Sequence, residues 1–155
     1  MIWLNIIWPV FAMAALIFGV WIAVVVQRVG HMRRTPPTAD TFATKEETRR
    51  YFGAGDTANE NLANLFEMPV LFFVAALLLI ATHATSPAQI VLAWLFVLLR
   101  AIHSIVHIAV RKVRVRAPVY WASTAVLMAM WIGFFLDMVG EAARYHQAIQ
   151  AMGQP

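Results

Sequence analysis

Residues 60–81 read ENLANLFEMPVLFFVAALLLIA, a polar start followed by an apolar run that carries no charge after Glu67. Every side chain in the segment MPVLFFVAALLLIA is apolar. Together with the apolar residues just before Glu67, this run approaches the ~20 residues that a helix needs to cross a bilayer. We therefore predict a membrane-spanning helix over residues 57–82, whose polar first turns protrude from the lipid.

Three further apolar runs flank this helix, over residues 2–26, 87–114 and 118–140. The chain has 155 residues, of which 61% are hydrophobic and 13% are charged, and its mean hydropathy is +0.69. A soluble domain is only about half apolar, and one this small could not bury so much apolar surface. The composition predicts an all-α membrane protein whose single domain, residues 1–155, is a four-transmembrane-helix bundle.

The segments between these runs contain signals that stop and start helices. Residues 28–56 form a polar connection in which Pro36-Pro37 stops a helix. Thr44 and Glu47 have the spacing of a capping box, so we expect a short helix over residues 45–51.

The starts of the later helices carry similar signals. Thr57 and Glu60 form a second capping box, which is the simplest role for Glu60. Ser86-Pro87 provides an N-cap and a proline at the first helical position, and Ala117-Pro118 precedes the last run.

The basic residues lie almost entirely in the first and third connections. These are Arg28, Arg33, Arg34, Lys45, Arg49 and Arg50 in the first, and Arg111, Lys112, Arg114 and Arg116 in the third. The positive-inside rule places both connections in the cytosol and both termini outside, as in a bacterial inner-membrane protein. This arrangement explains the net charge of +4 without nucleic acid as a partner. Because the chain has no cysteine, cysteine-ligated metals and thiolate catalysis by the protein are excluded.

Charged and polar side chains within the membrane helices indicate a site, because such groups are costly in lipid. On the second helix Glu60, Asn64 and Glu67 follow i, i+4, i+7 spacing. The third helix carries a polar seam that must face other helices or a wet cavity, formed by Arg100, His103, His107, Arg111 and Arg114. Glu67 could pair with Arg100 or with Arg28, either as a structural ion pair or as part of a ligand site.

Other groups near the same helix ends have two interpretations each. His103 and His107 have i, i+4 spacing, but no HExxH pattern surrounds them, so polar helix contacts are favoured over a metal. Arg114 and Arg116 lie next to the Ala117-Pro118 turn, so they are better candidates for holding an anion than Arg111 or Lys112. Tyr120 either belongs to the aromatic belt of the membrane interface or offers its hydroxyl to a ligand.

Several of these segments resemble the motifs of one family, the MAPEG proteins, which are the membrane-associated proteins of eicosanoid and glutathione metabolism. The residues NLFEMPVL from Asn64 resemble the family's N-x-x-E…P motif, and RAIHS from Arg100 resembles its R-x-x-H-[ST] segment. The residues RVRAPVY from Arg114 resemble its R-x-A-P turn, and Arg28 resembles the arginine that ends its first helix. The resemblance covers about residues 2–139 and looks closest to a bacterial branch.

The resemblance implies a homotrimer with a glutathione site between subunits, near the cytosolic face. It implies that Asn64 and Glu67 hold the glutamyl end of glutathione and that Arg28 is a carboxylate partner. It also implies that His103 lines the site, with His107 where several members have a tyrosine. Arg114 or Arg116 would be the arginine near the thiol, where a cation stabilises the thiolate. The implied function is a transferase or peroxidase acting on lipophilic electrophiles.

The sequence also departs from the family pattern. Members with demonstrated activity often have an arginine immediately before the asparagine or about four residues before it, where this chain has Ala63 and Glu60. Tyr120 lies near the position of an arginine in prostaglandin E synthases, which disfavours that isomerase activity. A non-catalytic binding or scaffold protein with the same fold is therefore the alternative function. A transporter is disfavoured by the small number of helices and the lack of an inverted repeat.

Overall fold

A computed structural model describes residues 5–53, 56–110 and 113–152. The helices are α1 (Ile7–Arg34), α2 (Lys45–Phe52), α3 (Thr57–Leu65), α4 (Met68–Ala81), α5 (Pro87–Ile105) and α6 (Val113–Met152), and a π-helical segment, Val106–Val110, follows α5. Four spans are long and apolar enough to cross a membrane, namely Ile7–Arg34, Thr57–Ala81, Pro87–Val110 and Arg114–Met152. The all-α fold with four membrane helices is therefore confirmed.

Two helices extend further than the apolar runs suggested. Helix α1 continues past residue 26 to Arg34, just before the proline pair. Arginine side chains can lay their apolar stems along the helix while their charges stay in water, so the helix need not end where the apolar run ends. Helix α6 begins ahead of residue 118, contains Pro118, and continues past residue 140 to its end at Met152. The parts of the predicted first and third helices at residues 2–4 and 111–112 lie outside the described residues.

The second membrane span is broken, where the sequence predicted one continuous helix over residues 57–82. Helix α3 ends at Leu65, Phe66 and Glu67 form a turn, and α4 begins at Met68. Pro69, in the first turn of α4, has no N–H to donate to the carbonyl of Leu65, so the regular ladder cannot continue there. Glu67 therefore lies in a turn and not on the face of a continuous helix.

The capping signals were realised at two of three places. The Glu47 amide donates to the Thr44 hydroxyl oxygen at 3.1 Å to start α2, and the Gln89 amide donates to the Ser86 hydroxyl oxygen at 3.3 Å to start α5. Helix α3 begins at Thr57, as predicted, but the capping box expected there is not formed, because Asp56 and not Thr57 is the N-cap and no side-chain cap bond is made.

The polar connection is folded against the end of α1 through an aromatic cluster. The Tyr51 hydroxyl donates to the carbonyl of Thr35, and the Tyr51 ring meets the His31 ring edge-on, with centroids 4.8 Å apart. Phe52 is buried beside them. This contact holds α2 against the end of α1.

The core lies between the spans, and the outer surface of the bundle is apolar. Phe72 of α4 stacks on Phe96 of α5 with ring centroids 4.9 Å apart. Gln89 is buried and its amide donates to the carbonyl of Met130 at 3.1 Å, which ties α5 to α6. Large exposed apolar side chains cover the outside, among them Phe18, Ile22, Leu77, Leu98, Trp121 and Phe135. This surface is the one expected of a protein that has lipid as its solvent.

Candidate functional site

A polar pocket of about 240 Å³ lies where the turn before α4 meets the end of α5 and the first turns of α6. By chain direction these three places lie at the same end of the bundle. The polar side chains that line the pocket are Asn64, Glu67, His103, Arg116 and Tyr120, and Ala117 and Trp121 complete the wall. The structure thus brings together five of the residues that the sequence marked as candidates.

Glu67 reaches the pocket because of the helix break before Pro69. It occupies the turn between α3 and α4, and its side chain is exposed. The Tyr120 hydroxyl donates to a Glu67 carboxylate oxygen across a long distance of 3.5 Å. The carboxylate is therefore available to a positively charged or hydrogen-bond-donating part of a ligand.

The opposite wall is built by α5, the π-helical segment and α6. His103 Nδ1 lies 3.3 Å from the backbone carbonyl of Arg116, and the His103 ring lies 5.7 Å from the rings of both His107 and Tyr120. The Arg116 guanidinium contacts Nε2 of His107. His107 lies on the π-helical segment, a distortion that is frequent at functional sites. These contacts hold Arg116 at the mouth of the pocket.

Arg100 lies behind the pocket and is fully buried. Its Nη2 donates to the backbone carbonyl of Asn64 at 2.6 Å, and its guanidinium carbon lies 5.3 Å from the centroid of the Tyr120 ring. Within the described residues its Nε and Nη1 have no hydrogen-bond partner. The predicted ion pair with Glu67 is not formed, because the guanidinium binds a backbone oxygen at the end of α3 instead. A buried cation without a counter-ion makes the region behind the pocket positive.

Arg28 and Arg114 do not line this pocket. The Arg28 guanidinium binds Asp56 through two contacts of 3.1 and 2.7 Å and lies 4.7 Å above the Phe52 ring, so its predicted pairing with Glu67 is not formed either. Arg114 is exposed. Arg111 and Lys112 lie outside the described residues. In the part of the chain that the structure describes, no group of three His, Asp or Glu side chains is placed to hold a metal ion.

Two features of the site were not found from the sequence. One is the turn at Phe66 and Glu67, for which the only signal was Pro69. The other is Asp56 as the partner of Arg28, where the signal was an aspartate directly before the start of α3. The first has a local cause, whereas the second depends on a contact between side chains 28 residues apart in the sequence.

Fold and pocket together define a four-helix integral membrane protein with a polar site at one end of its bundle. The family model that matches is the MAPEG family, over residues 6–136. The chain belongs to this family, which is associated with glutathione and with membrane-bound transferase and peroxidase chemistry. No curated protein and no solved structure matches it.

Proposed function

We propose that this protein is a glutathione-dependent transferase or peroxidase that acts on lipophilic electrophiles. The observation that carries the proposal is the pocket that gathers Asn64, Glu67, His103, Arg116 and Tyr120 from three separate helix ends. Membership of the MAPEG family supports glutathione as the ligand.

The groups of the pocket match the groups of glutathione. The exposed Glu67 carboxylate would accept hydrogen bonds from the glutamyl ammonium group, and the Asn64 side chain offers both a donor and an acceptor beside it. The carboxylates of glutathione would lie in the positive field of Arg100 and Arg116. Charge-assisted hydrogen bonds of this kind are about twice as strong as neutral ones. Tyr120 and His103 would complete the polar wall.

We propose that the thiol of glutathione lies beside the guanidinium of Arg116. A guanidinium stabilises the thiolate, which is the nucleophilic form of the sulfur. In conjugation the thiolate sulfur would form a bond to an electrophilic carbon as the bond to a leaving group such as a halide breaks. In peroxide reduction the thiolate sulfur would attack a peroxide oxygen, and the O–O bond would break to release an alcohol and leave glutathione sulfenic acid. A second glutathione would then form the disulfide and release the oxygen as water.

The lipophilic substrate would enter from the bilayer. An apolar groove of about 490 Å³ runs between α4 and α6, and Met68 and Thr124 are among its lining residues. Met68 follows Glu67 directly, and Thr124 lies one turn beyond Tyr120, so the groove begins next to the polar pocket. A polar site beside an apolar groove suits a reaction between a water-soluble thiol and a membrane-dissolved electrophile.

We further propose a homotrimer in which each pocket lies in a cleft between subunits on the cytosolic side. Glu67 and Trp121 are exposed, so one chain leaves the pocket open. Its volume of about 240 Å³ is also below the ~300–1,000 Å³ of ordinary ligand sites. A neighbouring subunit would close the open side.

The second candidate is a non-catalytic binding protein of the same fold. The observation in its favour is Glu60, an exposed carboxylate one turn before Asn64, where the resemblance would place an arginine. A negative charge there opposes the carboxylates of glutathione.

Glutathione binding and turnover separate the two candidates. Purified protein in detergent is heated with and without glutathione, and the rate of conjugation to a chromogenic aryl halide is measured in parallel. Stabilisation together with turnover supports the enzyme, and stabilisation without turnover supports the binding protein. Absence of both overturns glutathione as the ligand.

A further inference from the structure

A second pocket lies where the C-terminal part of α1 meets the polar connection. It has a volume of about 440 Å³ and is lined by residues of α1 from Val26 to Arg34, by Phe52 of α2 and by Asp56. It shares no lining residue with the pocket that contains Glu67. Arg28, which the family resemblance makes a carboxylate partner of glutathione, is bound here to Asp56, and the proposed function gives this pocket no role.

One row of α1 runs from the bilayer directly into this pocket. Phe18, Ile22 and Val26 are 66%, 56% and 64% exposed, and Gly30 and Arg34 continue the same i+4 row. Residues at i and i+4 are neighbours on a helix surface, and each such step turns by about 40°, so the row is a continuous strip that winds around α1. Its lower part is apolar and open to lipid chains, and its upper end is cationic.

The pocket owes its opening to Gly30. A Cβ atom built on Gly30 meets nothing within 4 Å, so the space above its backbone is empty. Val26 lies below this space and Arg34 above it, about 12 Å apart along the helix axis at 1.5 Å per residue. A ligand that fills the space would touch an apolar wall at one end and a guanidinium at the other.

The charge of the pocket favours an anion. Asp56 faces the pocket, but it binds Arg28, and the two charges compensate each other. Arg34 is exposed, and no carboxylate pairs with it among the described residues. His31 lines the wall beside it, and exposed Arg33 is its neighbour in sequence. The uncompensated charge at the upper end is therefore positive.

We infer that this pocket binds the headgroup of an acidic phospholipid. The phosphate would lie against Arg34 at the membrane surface, and an acyl chain would follow Val26, Ile22 and Phe18 into the bilayer. Basic side chains at the membrane surface attract anionic headgroups, and the apolar strip gives the lipid chain a defined path. Phe52 joins this lipid to α2, since the same ring forms the wall of the pocket and packs against the Arg28 guanidinium.

The test uses the full chain in a neutral detergent. Short-chain phosphatidylglycerol and phosphatidylcholine with identical acyl chains are added separately, and soluble glycerol phosphate is added as the free headgroup. Thermal unfolding reports stabilisation, and native mass spectrometry reports the number of retained lipids. We expect stabilisation and retention with phosphatidylglycerol, and neither with phosphatidylcholine nor with glycerol phosphate at the same concentration.

Two variants locate the effect. Gly30→Leu fills the pocket without changing its charge, and Gly140→Leu is the matched control, because a Cβ at Gly140 also meets nothing within 4 Å. Arg34→Gln should weaken phosphatidylglycerol binding about fivefold, whereas Arg144→Gln, at the far end of α6, should leave it unchanged. Stabilisation by glutathione should persist in all four variants, which separates this pocket from the proposed glutathione site.

Three results would overturn the inference. Equal stabilisation by the two lipids would show that charge is not recognised. A full effect from glycerol phosphate would identify a site for soluble anions. Unchanged phosphatidylglycerol binding in both Gly30→Leu and Arg34→Gln would place the lipid elsewhere, and because Arg34→Gln removes only an exposed side chain, it remains informative if Gly30→Leu does not fold.

Discussion

The guanidinium of Arg100 donates a 2.6 Å hydrogen bond to the backbone carbonyl of Asn64, 36 residues earlier in the chain. That carbonyl lies at the end of α3, where the break before Pro69 leaves acceptors without a regular helical donor, and the Glu67 amide reaches it only at 3.4 Å. A cation at a helix C-terminus is favourable because it opposes the negative end of the helix dipole. Arg100 thus stabilises the turn that presents Glu67 to the pocket.

The two arginines in the first turn of α6, Arg114 and Arg116, should have different effects on catalysis. Arg116→Ala removes the guanidinium that lines the pocket, and loss of one group that stabilises developing charge costs about a hundredfold in turnover. Arg114→Ala is the matched control and should change turnover by less than about threefold, since surface charges away from a site contribute little. Steady-state rates of glutathione conjugation measure both. Equal losses in the two variants would contradict the assignment of the thiol to Arg116.

Glu67→Gln should abolish the stabilisation that glutathione gives to the wild-type protein. The amide keeps the size of the side chain but removes the charge that would bind the glutamyl ammonium group. Thermal unfolding with increasing glutathione measures this effect. Tyr120→Phe is the comparison, because it removes only the 3.5 Å hydrogen bond to Glu67 and should weaken binding modestly. Retained stabilisation in Glu67→Gln would remove this carboxylate from the site.

Pro69→Ala should weaken glutathione binding although residue 69 does not line the pocket. Alanine restores an N–H that can donate to the carbonyl of Leu65, which favours a continuous helix through the turn. Glu67 would then rotate away from Tyr120. Isothermal titration with glutathione measures the affinity, and circular dichroism checks that the helix content is kept. Wild-type affinity in a folded Pro69→Ala protein would show that the break does not position Glu67.

The fold was predictable because long apolar runs report membrane spans directly, whereas the details of the site depended on contacts between them. The run after Glu67 predicted the second span, but proline is tolerated in membrane helices, so Pro69 did not predict a break. Side chains two positions apart on a helix point in directions that differ by about 200°, so only one of Arg114 and Arg116 can face the pocket. The sequence left this choice open because the phase of α6 depends on where the helix begins.

The pairing of charges was hard to predict because it depends on contacts between helices. Glu67, Arg28 and Arg100 have charges that suit one another, but opposite sign does not specify a partner. Asp56 lies close to Arg28 because α3 packs against α1, and the amide of Ala58 donates to the Gln27 side chain at 3.2 Å beside them. Arg100 is held by a backbone oxygen that only the helix break makes available. Neither contact has a sequence motif.

Gly133 should be intolerant of even one added methyl group. A Cβ at this position would lie 2.9 Å from Nε2 of Gln89, the atom that donates to the carbonyl of Met130. Gln89 is buried, so a shift of its amide would stretch or break that hydrogen bond. Such a bond contributes about 1 kcal/mol to stability. Gly140→Ala is the control, because a Cβ there meets nothing within 4 Å and alanine favours the helix. Thermal unfolding in one detergent should therefore give a lower midpoint for Gly133→Ala than for Gly140→Ala. Equal midpoints would show that the contact between α5 and α6 adjusts without losing the bond from Gln89 to Met130.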